Sequence, residues 1–200
     1  MAQRVIVIHG GGSFDEYEDY IANLKSKTVY LNRMTPTNGW KGHLREDLGE
    51  GYEVVQPRMP NSNNAKYLEW SIWFRKVVET SDEPLILVGH SLGAIFLAKF
   101  LSEEVIDQPV IGTVLISPPF DFGTEYKQLV EFRLKDGIDG LAKQGGEIHL
   151  IHSKDDKVVP FSELAKYQAG LPDANVHVFE EGGHFVIDEF PEVIEIIKSL

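Results

Sequence analysis

Gly89-His90-Ser91-Leu92-Gly93 sets a serine between two glycines at the end of the apolar run Leu85–Val88. Ala94, Ile95, Leu97, Ala98 and Leu101 then recur at helical spacing. The order is a strand buried on both faces, a five-residue turn and a helix. In that setting G-x-S-x-G forms a nucleophile elbow. Ser91 is expected on strained backbone at the tip of the turn, its hydroxyl projecting into a cleft. Gly89 and Gly93 are expected because a Cβ would crowd the strand–helix junction. The helix behind Ser91 aims its first N–H groups where negative charge would develop.

A serine hydroxyl is a poor nucleophile at neutral pH. It needs a base, and the base needs a group to hold its tautomer. In elbow-type sites the chain order is Ser, acid, His, each just past a strand. Of seven histidines, His184 alone follows a strand, on the loop Glu180-Glu181-Gly182-Gly183-His184-Phe185. His9 ends the first strand, His90 is locked beside Ser91, and His43 lies on a presumed helix. His149, His152 and His177 belong to strands. For the acid, Asp155 and Asp156 follow the strand 147–152, and Asp121 follows the one before it. Neighbours in an extended segment point opposite ways, so only one of Asp155 and Asp156 can face the histidine. The residues alone leave the three open.

Gly10-Gly11-Gly12-Ser13 follows the first strand. A dinucleotide-binding G-x-G-x-x-G would need glycine at position 15, which is Asp15. An oxyanion loop is the better reading. Leu92 would supply one N–H, and Gly11, Gly12 or Ser13 the other.

Strands alternate with helices along all 200 residues: strands at 5–9, 52–56, 85–88, 110–116, 147–152 and 174–179, helices at 40–48, 65–80, 94–101 and 191–200, and a loop with a helix at 158–169. One α/β domain over 1–200 is expected, doubly wound with a mainly parallel sheet. Two segments stand apart. Residues 14–39 carry a short amphipathic helix at 14–24, an extended piece at 28–31 and a turn at 35–39. Residues 118–146 form a long connection with a helix at 125–134. Either could act as a small lid. Phe14, His90, Phe120 and Phe122 are expected to touch substrate. On the helix 65–80, Trp70, Trp73 and Phe74 are expected in the core.

The net charge is −12, and there is no cysteine. That charge disfavours nucleic acid and anionic membrane surfaces as partners. The missing cysteines exclude disulfides and thiolate sites. No signal peptide, membrane-spanning stretch or metal-ligand spacing is found, and no partner protein is evident. A cytoplasmic protein is expected.

Together these residues resemble the α/β-hydrolase superfamily. His9-Gly10, Trp40, Gln56-Pro57-Arg58-Met59-Pro60, Trp70, the elbow, Asp156-Lys157-Val158-Val159-Pro160 and Gly182-Gly183-His184-Phe185 resemble the compact serine hydrolases grouped with retinoblastoma-binding protein 9 and its bacterial relatives. The resemblance implies a triad of Ser91, Asp156 and His184, with Asp156 chosen over Asp155 by its D-x-x-V-P setting. It also implies no cofactor, a reduced sheet and a minimal lid. The implied activity is carboxylesterase-like hydrolysis of a small-molecule ester through an acyl-enzyme. Thioesterase, amidase or peptidase, and acyltransferase chemistry would use the same triad. A non-enzymatic binding module on the same scaffold is the other class. Residues 14–39 are longer than the usual path from the first strand to the Trp40 helix.

Overall fold

The computed structural model describes residues 2–28, 39–80, 82–122, 129–134 and 137–200. The extended piece expected at 28–31 and the turn at 35–39 fall almost wholly outside these residues. So does the first part of the helix expected at 125–134.

Among the described residues six strands form one sheet: β1 (Gln3–Ile8), β2 (Tyr52–Val55), β3 (Leu85–His90), β4 (Val110–Ile116), β5 (Glu147–Ser153) and β6 (Asn175–Phe179). Every pairing is parallel, in the order β2-β1-β3-β4-β5-β6. The expected doubly wound parallel sheet is thus observed. Parallel pairing puts all six carboxyl ends on one edge. The order reverses at β1, so the crevice between β1 and β3 is a topological switch point, where open α/β sheets bind ligands. The loop Gly10–Ser13 leaves β1 there, and Ser91 leaves β3 there.

The alternation of strand side chains sends each sheet face to its own core. Ile6 and Ile8 of β1 and Leu85 and Leu87 of β3 face one side. There they meet α3 (Tyr67–Val78), α4 (Leu92–Glu103), α5 (Asp139–Gln144) and α6 (Ser162–Gly170). Val5, Val7, Ile86 and Val88 face the other side and meet α2 (Trp40–Leu48) and α7 (Pro191–Ser199). The amphipathic piece after β1 is α1 (Tyr17–Ser26), which buries no residue.

Three details differ from the sequence expectation. On α3, Trp70, Phe74 and Val78 share the buried face, four residues apart, whereas Leu68, Ile72 and Trp73 point outward. Trp73 is therefore not core: its neighbours at helical spacing set the buried stripe on another face. Leu129–Leu134 is not α-helical. Only a 3-10 turn forms at Val130–Phe132, and Leu129 ahead of it has φ +72°, which stops a helix from running through. The short helix α5 in the same connection was not expected from the sequence.

Candidate functional site

β3 ends directly in Ser91, which sits at φ +56°, ψ −121° and caps α4. A non-glycine residue rarely adopts this backbone, and it persists only where neighbours over-determine it. Ser91 N–H donates to Ile116 O at 2.9 Å, and Ser91 O accepts from Ala94 N–H at 2.9 Å. The flanking glycines are steric requirements. A methyl on Gly89 would lie 2.6 Å from Ala94 Cα, and one on Gly93 2.7 Å from His9 O and nearer still to Ile8 O.

The loop after β1 passes against Ser91. A methyl on Gly10 would stand 3.2 Å from Ser91 Cβ, and one on Gly11 3.1 Å from Leu92 Cδ2. The loop is pinned from behind by residues 59–66. Gly12 N–H donates to Ser62 O at 2.8 Å, Ala65 N–H to Gly12 O at 2.8 Å, Ser13 Oγ to Ala65 O at 2.9 Å and Phe14 N–H to Asn64 Oδ1 at 3.1 Å. His9 joins the two segments. Its Nδ1 lies 2.7 Å from Gly10 O and its Nε2 accepts Met59 N–H at 3.0 Å, so the proton is on Nδ1. The Gly12 N–H, one of the donors expected for an oxyanion, is bonded to Ser62 O. Among the described residues, the N–H groups of Gly11 and Leu92 have no protein partner.

β5 delivers the carboxylates. His184 Nδ1 lies 2.8 Å from Asp156 Oδ2, which also accepts the Ser117 hydroxyl at 2.8 Å. Asp156 Oδ1 accepts the N–H groups of Val158 at 2.8 Å and Val159 at 3.0 Å. Burial alone would push this carboxyl up, but the hydrogen bonds from His184, Val159, Val158 and Ser117 win, and its pKa falls to about 2. Asp155, in the turn that follows β5, binds the backbone of the same loop rather than the imidazole. Its Oδ1 accepts Gly183 N–H at 2.7 Å, Gly182 N–H at 3.1 Å and Ser153 Oγ at 2.5 Å. Asp121 is paired with Lys166 instead. Its backbone N–H, with those of Phe120 and Phe122, converges on Glu163 Oε2 at 2.8–3.0 Å.

A third set of contacts holds the His184 loop from α2. Trp40 N–H donates to Ile187 O at 3.1 Å, and Trp40 Nε1–H to Phe185 O at 3.1 Å. His90 Nε2 lies 2.8 Å from His184 O, and its Nδ1 lies 3.1 Å from Lys41 Nζ. The His90 and His184 rings are tilted together, with centroids 4.9 Å apart.

Ser91, Asp156 and His184 therefore share one edge of the sheet with Gly11 and Leu92. Among the described residues no hydrogen bond joins Ser91 Oγ to His184; such bonds are commonly long without substrate and tighten when it binds. Phe120 packs edge-on against Tyr167, and Phe14 lies tilted against Tyr20. His90 is a partner of the His184 backbone. Ser117, Glu163 and Lys41 were missed by sequence reasoning, and no spacing or motif marks them; Met59-Pro60 was noted as part of a motif, but not the bonding of residues 59–66 to the β1 loop. Among the described residues no group of three or more His, Asp or Glu is arranged to hold a metal ion, and no helix is long and apolar enough to cross a membrane.

The profile of the serine hydrolase family matches residues 31–198. The chain belongs to this family. YdeN of Bacillus subtilis (strain 168) is 28% identical over 184 residues, covering 87% of this chain and 96% of that protein. The serine hydrolase RBBP9 of Rattus norvegicus is 27% identical over 176 residues, covering 82% of this chain and 87% of that one. The crystal structure of the B. subtilis ydeN gene product superposes with a TM-score of 0.77 at 23% identity, covering 99% of this chain and 98% of that one. The fold is that of the α/β-hydrolases, and the protein is a serine hydrolase.

Proposed function

We propose that this serine hydrolase cleaves small carboxylic esters through an acyl-enzyme on Ser91, with His184 as base and acid and Asp156 as the carboxylate that orients it. The observation that carries this reading is the 2.8 Å contact of His184 Nδ1 with Asp156, on the same sheet edge as a serine held at positive φ.

Asp156, with its depressed pKa, stays ionised and can only accept. Nδ1 of His184 must then donate, which leaves Nε2 free to take the Ser91 proton. Ser91 Oγ attacks the ester carbon. The carbonyl oxygen gains charge and is met by the Leu92 and Gly11 N–H groups, with the positive end of α4 behind them. As the intermediate collapses, His184 returns the proton to the leaving alcohol and the acyl group stays on Ser91. A water, deprotonated by His184, then attacks the acyl carbon. The acid leaves, and Ser91 recovers its proton. The net charge of −12 penalises anionic esters against neutral ones, more at low salt than at high.

The test is labelling by a fluorophosphonate probe, with peptide mapping, beside p-nitrophenyl esters from acetate to palmitate. The expected results are one adduct at Ser91 and the highest kcat/KM on short chains. A folded protein that is never labelled overturns the nucleophile. A steady rise out to palmitate overturns the preference for small esters.

A further inference from the structure

Lys41 occupies the first turn of α2, and its ammonium lies 3.1 Å from His90 Nδ1. An ammonium has three donors and no acceptor, so the imidazole nitrogen facing it must accept. Burial keeps His90 neutral: its pKa is driven well below 6.5, first by desolvation and then by the charges of Lys41 and His184. A neutral imidazole accepting at Nδ1 carries its proton on Nε2. That N–H points at His184 O, 2.8 Å away. Lys41 thus selects the only tautomer of His90 that can bond the backbone of His184.

The contact belongs to a larger clamp. Trp40 donates to Phe185 O and Ile187 O from the same turn of α2. Phe185, which bears the first of these carbonyls, sits at φ +51°, a conformation its neighbours must enforce. Asp155 and Asp156 hold the loop from the β5 side; α2 holds it from the other.

We propose that Lys41 is a positioning residue, acting through His90 to fix the main chain of His184 and so the imidazole above it. The inference rests on the role of His184 given above. Without the ammonium, His90 Nδ1 becomes a buried acceptor with no partner, which is unfavourable. The ring relieves this by turning away, and the His184 carbonyl loses its donor. A reacting group displaced by a fraction of an ångström loses rate steeply.

Because the chain has no cysteine, Lys41→Cys can be alkylated at one thiol. 2-Bromoethylamine rebuilds a lysine-like ammonium, and 1-bromopropane gives the same shape without it. The amine adduct is expected to have at least tenfold the kcat of the propyl adduct on p-nitrophenyl acetate, with KM alike within about twofold. The slowly exchanging Nε2 proton of His90, read by NMR and identified by its loss in His90→Gln, is expected in the amine adduct and not in the propyl one. Equal kcat in the two adducts, whether both high or both low, overturns the proposal. The NMR signal needs no turnover: if it follows the ammonium while kcat does not, Lys41 holds His90 but does not serve catalysis. If Ser91 also proves unlabelled in the wild type, the reading of the site itself has failed, and the NMR comparison shows this separately from the Lys41–His90 contact.

Discussion

Asp155 and Asp156 are adjacent in the chain and grip the same loop at successive points. Asp155 Oδ1 takes the backbone N–H groups of Gly182 and Gly183, and Asp156 Oδ2 takes the side chain of His184. One carboxylate sets where the loop runs, and the next sets how the imidazole is turned.

The two aspartates should therefore fail differently. Asp156→Asn presents an amide that can donate toward Nδ1 and favours the wrong tautomer, so kcat should fall by about 10⁴. Asp155→Asn keeps an acceptor oxygen for the two glycine N–H groups and loses only charge. Its kcat should fall by about tenfold or less, with KM unchanged. Stopped assays on p-nitrophenyl acetate decide it; equal losses in the two variants would refute the division of roles.

Ser91 stores backbone strain at φ +56°. Ser91→Ala and Ser91→Gly should both lose nearly all activity, on the order of 10³-fold or more. They should part in stability. Glycine adopts this backbone without a Cβ penalty, so Ser91→Gly should be the more stable by about 1 kcal/mol, against the usual cost of glycine. Urea unfolding of the two variants measures the difference. An alanine variant as stable as the glycine one would mean that the turn is unstrained.

Gly93 and Gly51 make a second contrast. A methyl on Gly93 runs into the backbone carbonyls of Ile8 and His9, which cannot move without unpairing the end of β1. One on Gly51 meets nothing within 4 Å. Gly93→Ala should cost more than about 2 kcal/mol and Gly51→Ala less than about 0.5. Thermal melting of both variants reads this directly.

The elements that carry strong local patterns were legible in the sequence. Leu85–Val88 with the glycine-flanked serine gave the strand, turn and helix around Ser91, and Gly182-Gly183 marked the loop of His184. Contacts made across the sheet edge were not. Ser117 reaches Asp156 across 39 residues of chain, and Lys41 reaches His90 across 49. Such pairings follow from the strand order, which single-sequence periodicity does not encode. The bond from Gly12 N–H to Ser62 O was hidden for the same reason: it depends on how the 59–66 segment folds over the β1 loop. The aromatic residues of α3 show the limit of composition, since Trp70 and Trp73 lie three positions apart and only the first is buried.

Acid stability offers a test of the buried carboxylate that needs no substrate. The pKa of Asp156 is about 2 in the folded protein, against the ordinary aspartate value of 3.8. As pH falls, the unfolded chain takes up this proton first, so protonation favours unfolding. The stabilisation from ionised Asp156 is complete above about pH 4 and is lost as pH drops through about 2. The shift corresponds to about 2 kcal/mol. Other carboxylates titrate in the same range, so the quantity to follow is the difference between wild type and Asp156→Asn. Urea midpoints at pH 7, 4 and 2.5 should show the wild-type advantage level from pH 7 to pH 4 and shrinking by pH 2.5. Ser117→Ala removes one of the bonds that hold the carboxylate down, and it should move that loss to higher pH. A difference that stays constant from pH 4 to pH 2.5 would mean that Asp156 is not held ionised by its neighbours, and the orienting role given to it would fall with that.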